Sequence, residues 1–563
     1  MKKLSIIESE IQKELSYQMR RLYILIAFLA AIIVNGKSQE IQNSADLKPG
    51  KNEIMIRMSD GAELSSDVYL PKKKGKYPTI LVRTPYNKSS EAWMEKAFGK
   101  LGIAAVVQDV RGKYKSGGEF YGFINERTDG LQTLRWIRAQ PWSDGRVAGW
   151  GGSYVGYTQW AISDSLDFLT PLLTGASMYD LFYPDSLFSL HLAFVWGFLN
   201  ASQTMNTIPV EKLEASIMIL PLSVADDSTV KDIPLVNDFL MHEKYDSYWK
   251  KMDHRGITKS PLISIAGWYD IFLESQITDF ESLSEKGNPD NRLVIGPWCH
   301  GNQGEKNEYG GLKKTGKTGM ILKYMEDYLA GKKIKLTSPL KDKKYNLFIM
   351  EKNEYVGSDT WPPKETRIVP YYLGPSGYIG ISDFKDNGAL NYDYNPSDPY
   401  PSIGGTILGE GVGPARQNPN AGRKDQLVFE MNVTEKPLTL LGPVTATLWL
   451  SSDAPCTDFI VGIQDVFPDG KIINIQEGGA KVSFSGSQPE LKNISVWATG
   501  YQLKAGHKLR AFIASSWFPR YNRSLNSCEP IFDATNILTA HQKVWFGAAT
   551  PSTLNLPVYE SDK

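Results

Sequence analysis

The chain has 563 residues, and its 62 Lys plus Arg balance its 62 Asp plus Glu, so the formal net charge is zero. A composition of 42% hydrophobic and 22% charged residues is that of a globular protein; it excludes general disorder and, with no basic excess, nucleic-acid binding driven by bulk charge. Three cysteines and six histidines exclude a disulfide-rich scaffold and a four-cysteine zinc site, and the length predicts about three domains.

Residues Leu22 to Val34 form an unbroken apolar run, preceded by Arg20 and Arg21 and followed by the small residues Gly36 and Ser38. This pattern predicts a secretory signal peptide over residues 1–38, with Met19 as an alternative start. The run is shorter than a comfortable bilayer span. The expectation is a secreted or periplasmic protein with no stable membrane span once the signal is cleaved. An uncleaved N-terminal anchor is the alternative, and the lack of a Cys after the run disfavours a lipoprotein.

From residue 45 to 180, and again from 256 to 338, short apolar runs alternate with helical stretches. The runs Thr79–Val82, Ile103–Val107, Leu262–Ile265 and Leu293–Ile295 read as buried strands of a mainly parallel sheet. Leu131, Leu134, Trp136 and Ile137 recur at near-helical spacing and predict a crossover helix over 128–140. Residues 181–255, rich in Leu, Phe, Met and Trp, predict a helical cap inserted over the sheet. Beyond residue 339 short strands punctuated by Gly, Pro, Asn and Asp predict an all-β, jelly-roll-like sandwich over 339–563, with Lys344–Met350 among its strands. Residues 395–425 read as loop.

The first chemical signal is Val147-Ala-Gly-Trp-Gly-Gly-Ser-Tyr-Val-Gly156. A serine among glycines where a strand turns into a helix is the nucleophile elbow of α/β hydrolases, although the second glycine falls at Gly156 rather than at 155. The partners should follow in the order acid, then His. Leu262 to Asp270 and Leu293 to His300 each place a candidate just beyond a buried strand. Of the six histidines only His300 follows a core strand. Ser153, Asp270 and His300 are therefore the expected nucleophile, orienting acid and base. Cys299 beside the histidine lacks an elbow and reads as a structural thiol. Asp109 and Arg111 read as a buried pair bracing a loop. Whether Cys456 and Cys528 pair is left open by the sequence.

These motifs together resemble the CocE/NonD hydrolase family of esterases, glutaryl acylases, α-amino-acid ester hydrolases and X-Pro dipeptidyl-peptidases. Further matching pieces are Arg83-Thr-Pro-Tyr86, Asp109-Val-Arg-Gly112, Gln140-Pro-Trp-Ser-Asp-Gly145, Asp465-Val-Phe-Pro-Asp-Gly470 and Ser515-Ser-Trp-Phe-Pro-Arg-Tyr521. The resemblance spans roughly residues 50 to 545. It implies an α/β hydrolase with an inserted helical cap and a C-terminal β-sandwich like that of the X-Pro dipeptidyl-peptidases. It also implies the same triad, and an oxyanion hole made by the Tyr86 hydroxyl and the Tyr154 backbone N–H. No metal or organic cofactor is implied.

In α-amino-acid ester hydrolases of the family, acids just after the triad Asp help hold a substrate ammonium. Here Ile271, Phe272 and Leu273 follow Asp270, and the first acid is Glu274. This favours ester or acyl-amide substrates with apolar acyl groups over free amines, with Trp268 and Phe272 expected in the acyl pocket beside cap aromatics such as Phe182, Tyr183, Phe188 and Trp196. X-Pro dipeptidyl-peptidase or α-amino-acid ester hydrolase activity is the alternative, with Asp185, Asp180 or Glu274 as the ammonium partner. A non-catalytic carbohydrate-binding protein is the remote one. The expected partners are small esters, acyl-amides or short peptides, with no nucleic acid; the oligomeric state is unknown.

Overall fold

The structure, a computed structural model, describes residues 47–560 apart from 208, 228–231, 285–287, 304–316, 333–335, 337 and 434. The expected signal segment lies outside the described residues. Strands β1 (Gly50–Arg57), β2 (Glu63–Leu70), β3 (Tyr77–Thr84), β4 (Ala104–Asp109) and β5 (Ser143–Gly149) pair in the order β1-β2-β4-β3-β5. A second run contains β6 (Gly151–Gly152), β7 (Pro171–Leu172), β8 (Ile263–Tyr269), β9 (Arg292–Cys299), β11 (Tyr345–Ile349) and β12 (Glu354–Ser358), while β10 (Gly301–Gln303) pairs elsewhere. A parallel bridge from Ala148 to Phe168 and a 2.9 Å bond from the Gly149 N–H to the Phe168 carbonyl join the two into one sheet.

The apolar runs explain the sheet. β4, β8 and most of β3 and β9 are buried along their length, as strands covered on both faces must be. Helix α1 (Glu126–Ala139) buries Leu134, Trp136 and Ile137. Helix α2 (Tyr154–Trp160) follows Ser153 and is buried throughout.

The inserted segment is helical. α3 (Leu190–Asn200) and α4 (Pro234–Met241) pack with shorter turns around an aromatic core in which the Phe182 and Phe239 rings are 4.2 Å apart. α3 is apolar on nearly every side and is correspondingly buried. After the cap the chain re-enters the sheet through β8, and helix α5 (Leu273–Ser284) follows.

The C-terminal region is dominated by two antiparallel β-sheets. One sheet is built around Leu438–Ser452, and a four-stranded sheet joins Gln426–Asn432, Lys508–Ala514, Cys456–Val466 and Ile472–Ser483. Two boundaries differ from the sequence reading. Tyr345–Ile349 pairs in parallel with β9, so the hydrolase sheet continues past residue 338 to Ser358. The stretch 395–425 is not wholly loop, because β13 (Gly409–Val412) pairs in parallel with β10. Cys456 and Cys528 form a disulfide.

Candidate active site

Ser153 sits between β6 and α2 with φ 56° and ψ −130°, a conformation side chains rarely adopt. Its surroundings enforce it. The Ser153 N–H donates to the Leu172 carbonyl at 3.0 Å, and the Thr174 hydroxyl donates to the Ser153 carbonyl at 2.8 Å. The displaced glycine has a packing reason: a Cβ on Gly156 would fall 2.3 Å from Thr174 Cγ2. The turn therefore needs a glycine at 156, while Val155 is accommodated.

Asp270 and His300 follow the carboxyl ends of β8 and β9, where side chains leave the sheet for the cleft. His300 Nε2 lies 2.9 Å from Ser153 Oγ, and His300 Nδ1 lies 2.9 Å from Asp270 Oδ2. Asp270 is fully buried, and its other oxygen accepts the Phe272 N–H at 2.9 Å. The Phe272 ring covers the imidazole, with centroids 5.5 Å apart.

Two donors face the serine. The Tyr86 hydroxyl neighbours Ser153 in the cavity, and burial raises its pKa, keeping it a neutral O–H donor. The Tyr154 N–H is the first of α2, a position with no intrahelical acceptor. Tyr154 is held from behind: its hydroxyl donates to Glu126 at 2.7 Å and accepts the Phe123 N–H at 2.9 Å. Glu126 in turn pairs with buried Arg83 at 2.6 Å.

A cavity of about 300 Å³ opens onto Ser153 and His300. Its walls include Tyr86, Phe123, Met178, Leu181, Phe182, Leu192, Trp196, Ile271, Phe272 and Leu408, and among the described residues no Asp, Glu, Lys or Arg lines it. The structure thus brings together Ser153, Asp270, His300, Tyr86, Tyr154 and Phe272. Trp268 is a correction. It lies within β8, fully buried, and donates to the Phe348 carbonyl at 2.7 Å; only residues past the strand end reach the cleft. Asp185 also stands outside the cavity, accepting the Trp497 indole N–H at 3.2 Å. Among the cap aromatics, Phe182 and Trp196 line the cavity and Tyr183 and Phe188 do not. Asp109 is not paired with Arg111. It accepts the Lys88 N–H, while Arg111 binds Asp129 and Asp60. Cys299 is buried and bonds the Gly301 carbonyl. Among the described residues no group of three or more His, Cys, Asp or Glu gathers as a metal site.

Sequence reasoning missed Leu408, which reaches the cavity from the C-terminal region, and Met178, Leu181 and Leu192. Each is an ordinary apolar residue, and only the tertiary fold brings it to the serine.

A family model described as X-Pro dipeptidyl-peptidase (S15 family) matches residues 60–302, and one described as X-Pro dipeptidyl-peptidase C-terminal non-catalytic domain matches 341–555. The chain is 31% identical over 570 residues to the cocaine esterase of Rhodococcus sp. (strain MB1 Bresler), covering 90% of this chain and 98% of that protein. The chain belongs to the CocE/NonD family of serine hydrolases. Solved structures agree with this fold. An aminopeptidase from a marine sediment Thaumarchaeota archaeon superposes with TM-score 0.77 at 21% identity, over 93% of this chain and 98% of its own. An α-amino acid ester hydrolase gives 0.75 at 20% identity, over 92% and 100%. As a CocE/NonD hydrolase the chain hydrolyses ester or acyl bonds.

Proposed function

We propose that the protein is an exported esterase or acylase that cleaves ester or acyl-amide bonds through an acyl-Ser153 intermediate. The observation that carries this reading is that the described residues lining the cavity at Ser153 include no Asp, Glu, Lys or Arg. An apolar acyl group gains there by leaving water, whereas an ammonium would be buried without a counter-charge.

In this mechanism His300 takes the Ser153 proton as the hydroxyl attacks the acyl carbonyl. It then protonates the leaving group and activates water for deacylation, while Asp270 fixes its tautomer. The Tyr86 O–H and the Tyr154 N–H stabilise the developing oxyanion. The acids that could have held a free amine have other partners. Asp180 pairs with Arg255 at 2.9 Å, Asp185 accepts from Trp497, and Glu274 accepts the Ala498 N–H at 2.6 Å. Export is supported by the basic and apolar N-terminal segment and by the Cys456–Cys528 disulfide, a bond that persists in oxidising compartments. The two antiparallel sheets of the C-terminal region support a jelly-roll-like sandwich.

The test is a set of specificity constants for an aryl ester, an N-acylated anilide and a free-amine X-Pro anilide, with Ser153→Ala as control. Preference for the ester or acylated anilide, lost in the control, is expected. Preference for the free-amine X-Pro anilide would overturn the substrate reading in favour of a dipeptidyl-peptidase.

A further inference from the structure

The Trp196 indole sits in α3, nearly buried at 7% exposure, and its Nε1 lies 3.1 Å from the Tyr86 hydroxyl. An indole N–H can only donate. The Tyr86 oxygen is therefore the acceptor in this pair, and its own hydrogen must point elsewhere. The Tyr86 hydroxyl also neighbours Ser153, and both line the same cavity. Ser153 Oγ is 2.9 Å from His300 Nε2, and His300 Nδ1 is 2.9 Å from Asp270. At the far end an Asp270 carboxylate can only accept.

A chain with a donor-only group at one end and an acceptor-only group at the other has one consistent direction. Trp196 donates to Tyr86, the Tyr86 O–H is left to face Ser153, Ser153 donates to His300, and His300 to Asp270. We infer that Trp196 is a positioning residue: its indole N–H fixes the polarity of this hydrogen-bond chain and keeps the Tyr86 proton aimed at the reacting oxygen. The inference rests on the acyl-serine reading above.

The packing supports a fixed indole. Its ring stacks on Tyr154 with centroids 5.6 Å apart and planes 10° apart, and on Phe123 at 4.8 Å and 28°. The N–H direction is therefore set by ring contacts that do not involve Tyr86. When the carbonyl is attacked, the Tyr86 O–H donates to the oxyanion. Trp196 still occupies the phenol oxygen and polarises its O–H. Without the indole N–H the phenol is free to turn, and the preorganisation is lost.

The experiment is a double-mutant cycle on an aryl ester with Trp196→Phe, Tyr86→Phe and the pair. Trp196→Phe should lower kcat about tenfold, the scale of coupling within one hydrogen-bond network, and leave KM within about twofold because the aromatic wall remains. In the Tyr86→Phe background the same change should have almost no further effect on kcat. An equal loss in both backgrounds would overturn the inference and leave Trp196 as a wall of the pocket. Should Trp196→Phe fail to fold, replacing Trp196 with benzothienylalanine, an isosteric analogue lacking the N–H, gives the same comparison. Wild-type kcat with that analogue would also overturn it. Turnover retained by Ser153→Ala would overturn the acyl-serine reading itself, so the two failures are distinguishable.

Discussion

Ser153, Asp270 and His300 are contributed by three strand ends spread over about 150 residues of chain; Ser153 was legible from its glycine-rich elbow, and Asp270 and His300 from their places after buried strands. A polar residue directly after a buried parallel strand emerges at the carboxyl edge of the sheet, where α/β folds place their ligands. Trp268 was misread because it looks similar in sequence but lies inside β8, where every side chain is core. Leu408 and Met178 gave no signal, because an apolar residue carries the same pattern whether it fills a core or a pocket. Buried acids away from the site have consequences that sequence hides. Burial pushes the Asp458 carboxyl from its usual 3.8 up to about 7. Between those values the folded protein holds a proton that the unfolded chain has lost, so this residue's contribution to stability falls as pH rises through that window. Asp458→Asn is expected to raise Tm at pH 8, relieving a penalty of roughly 1–4 kcal/mol. The gain should vanish toward pH 4. Thermal melts across this range check it, and a gain independent of pH would contradict it.

The elements divide into those announced by pattern and those made by long-range pairing. The sheet runs Thr79–Val82, Ile103–Val107, Leu262–Ile265 and Leu293–Ile295, α1 and the helical character of the cap follow from apolar runs and helical spacing, and they formed where the sequence indicated. The pairing of β10 with β13 was not legible. It joins two very short strands about a hundred residues apart, and neither has enough length to show alternation. This pairing begins immediately after His300, where the Gly409 N–H donates to the His300 carbonyl at 3.3 Å. Gly301, at φ 148°, permits it, since a Cβ there would fall 1.9 Å from the Gly409 carbonyl oxygen. Gly301→Ala should therefore displace the His300 loop and lower kcat by at least about tenfold, as small misplacements of catalytic groups do. Steady-state kinetics on an aryl ester check this. Parental kcat would show that the pairing does not hold the loop.

At the scale of the whole molecule, the hydrolase region, the cap and the C-terminal β region all contribute walls to one cavity, through Phe272, Trp196 and Leu408 respectively. The three-part organisation was readable from changes in sequence texture. The last boundary was not, because Tyr345–Ile349 has the short, punctuated look of a sandwich strand yet completes the hydrolase sheet. The Cys456–Cys528 disulfide closes a separation of 72 residues, and loop-closure entropy for such a span is worth about 4 kcal/mol. Replacing both cysteines by serine is expected to lower Tm by several degrees while leaving specificity among esters unchanged, since neither residue touches the cavity. Calorimetry of the double variant and of the reduced parent measures this, and an unchanged Tm would remove the bond from the account of stability.

The most direct test of the proposed chemistry is to treat the protein with a fluorophosphonate and locate the adduct by peptide mass spectrometry. The account predicts one stoichiometric adduct, on Ser153, that appears as ester hydrolysis is lost and is absent in Ser153→Ala. Loss of hydrolysis with the adduct on another residue, or an active enzyme that takes up no label, would contradict it.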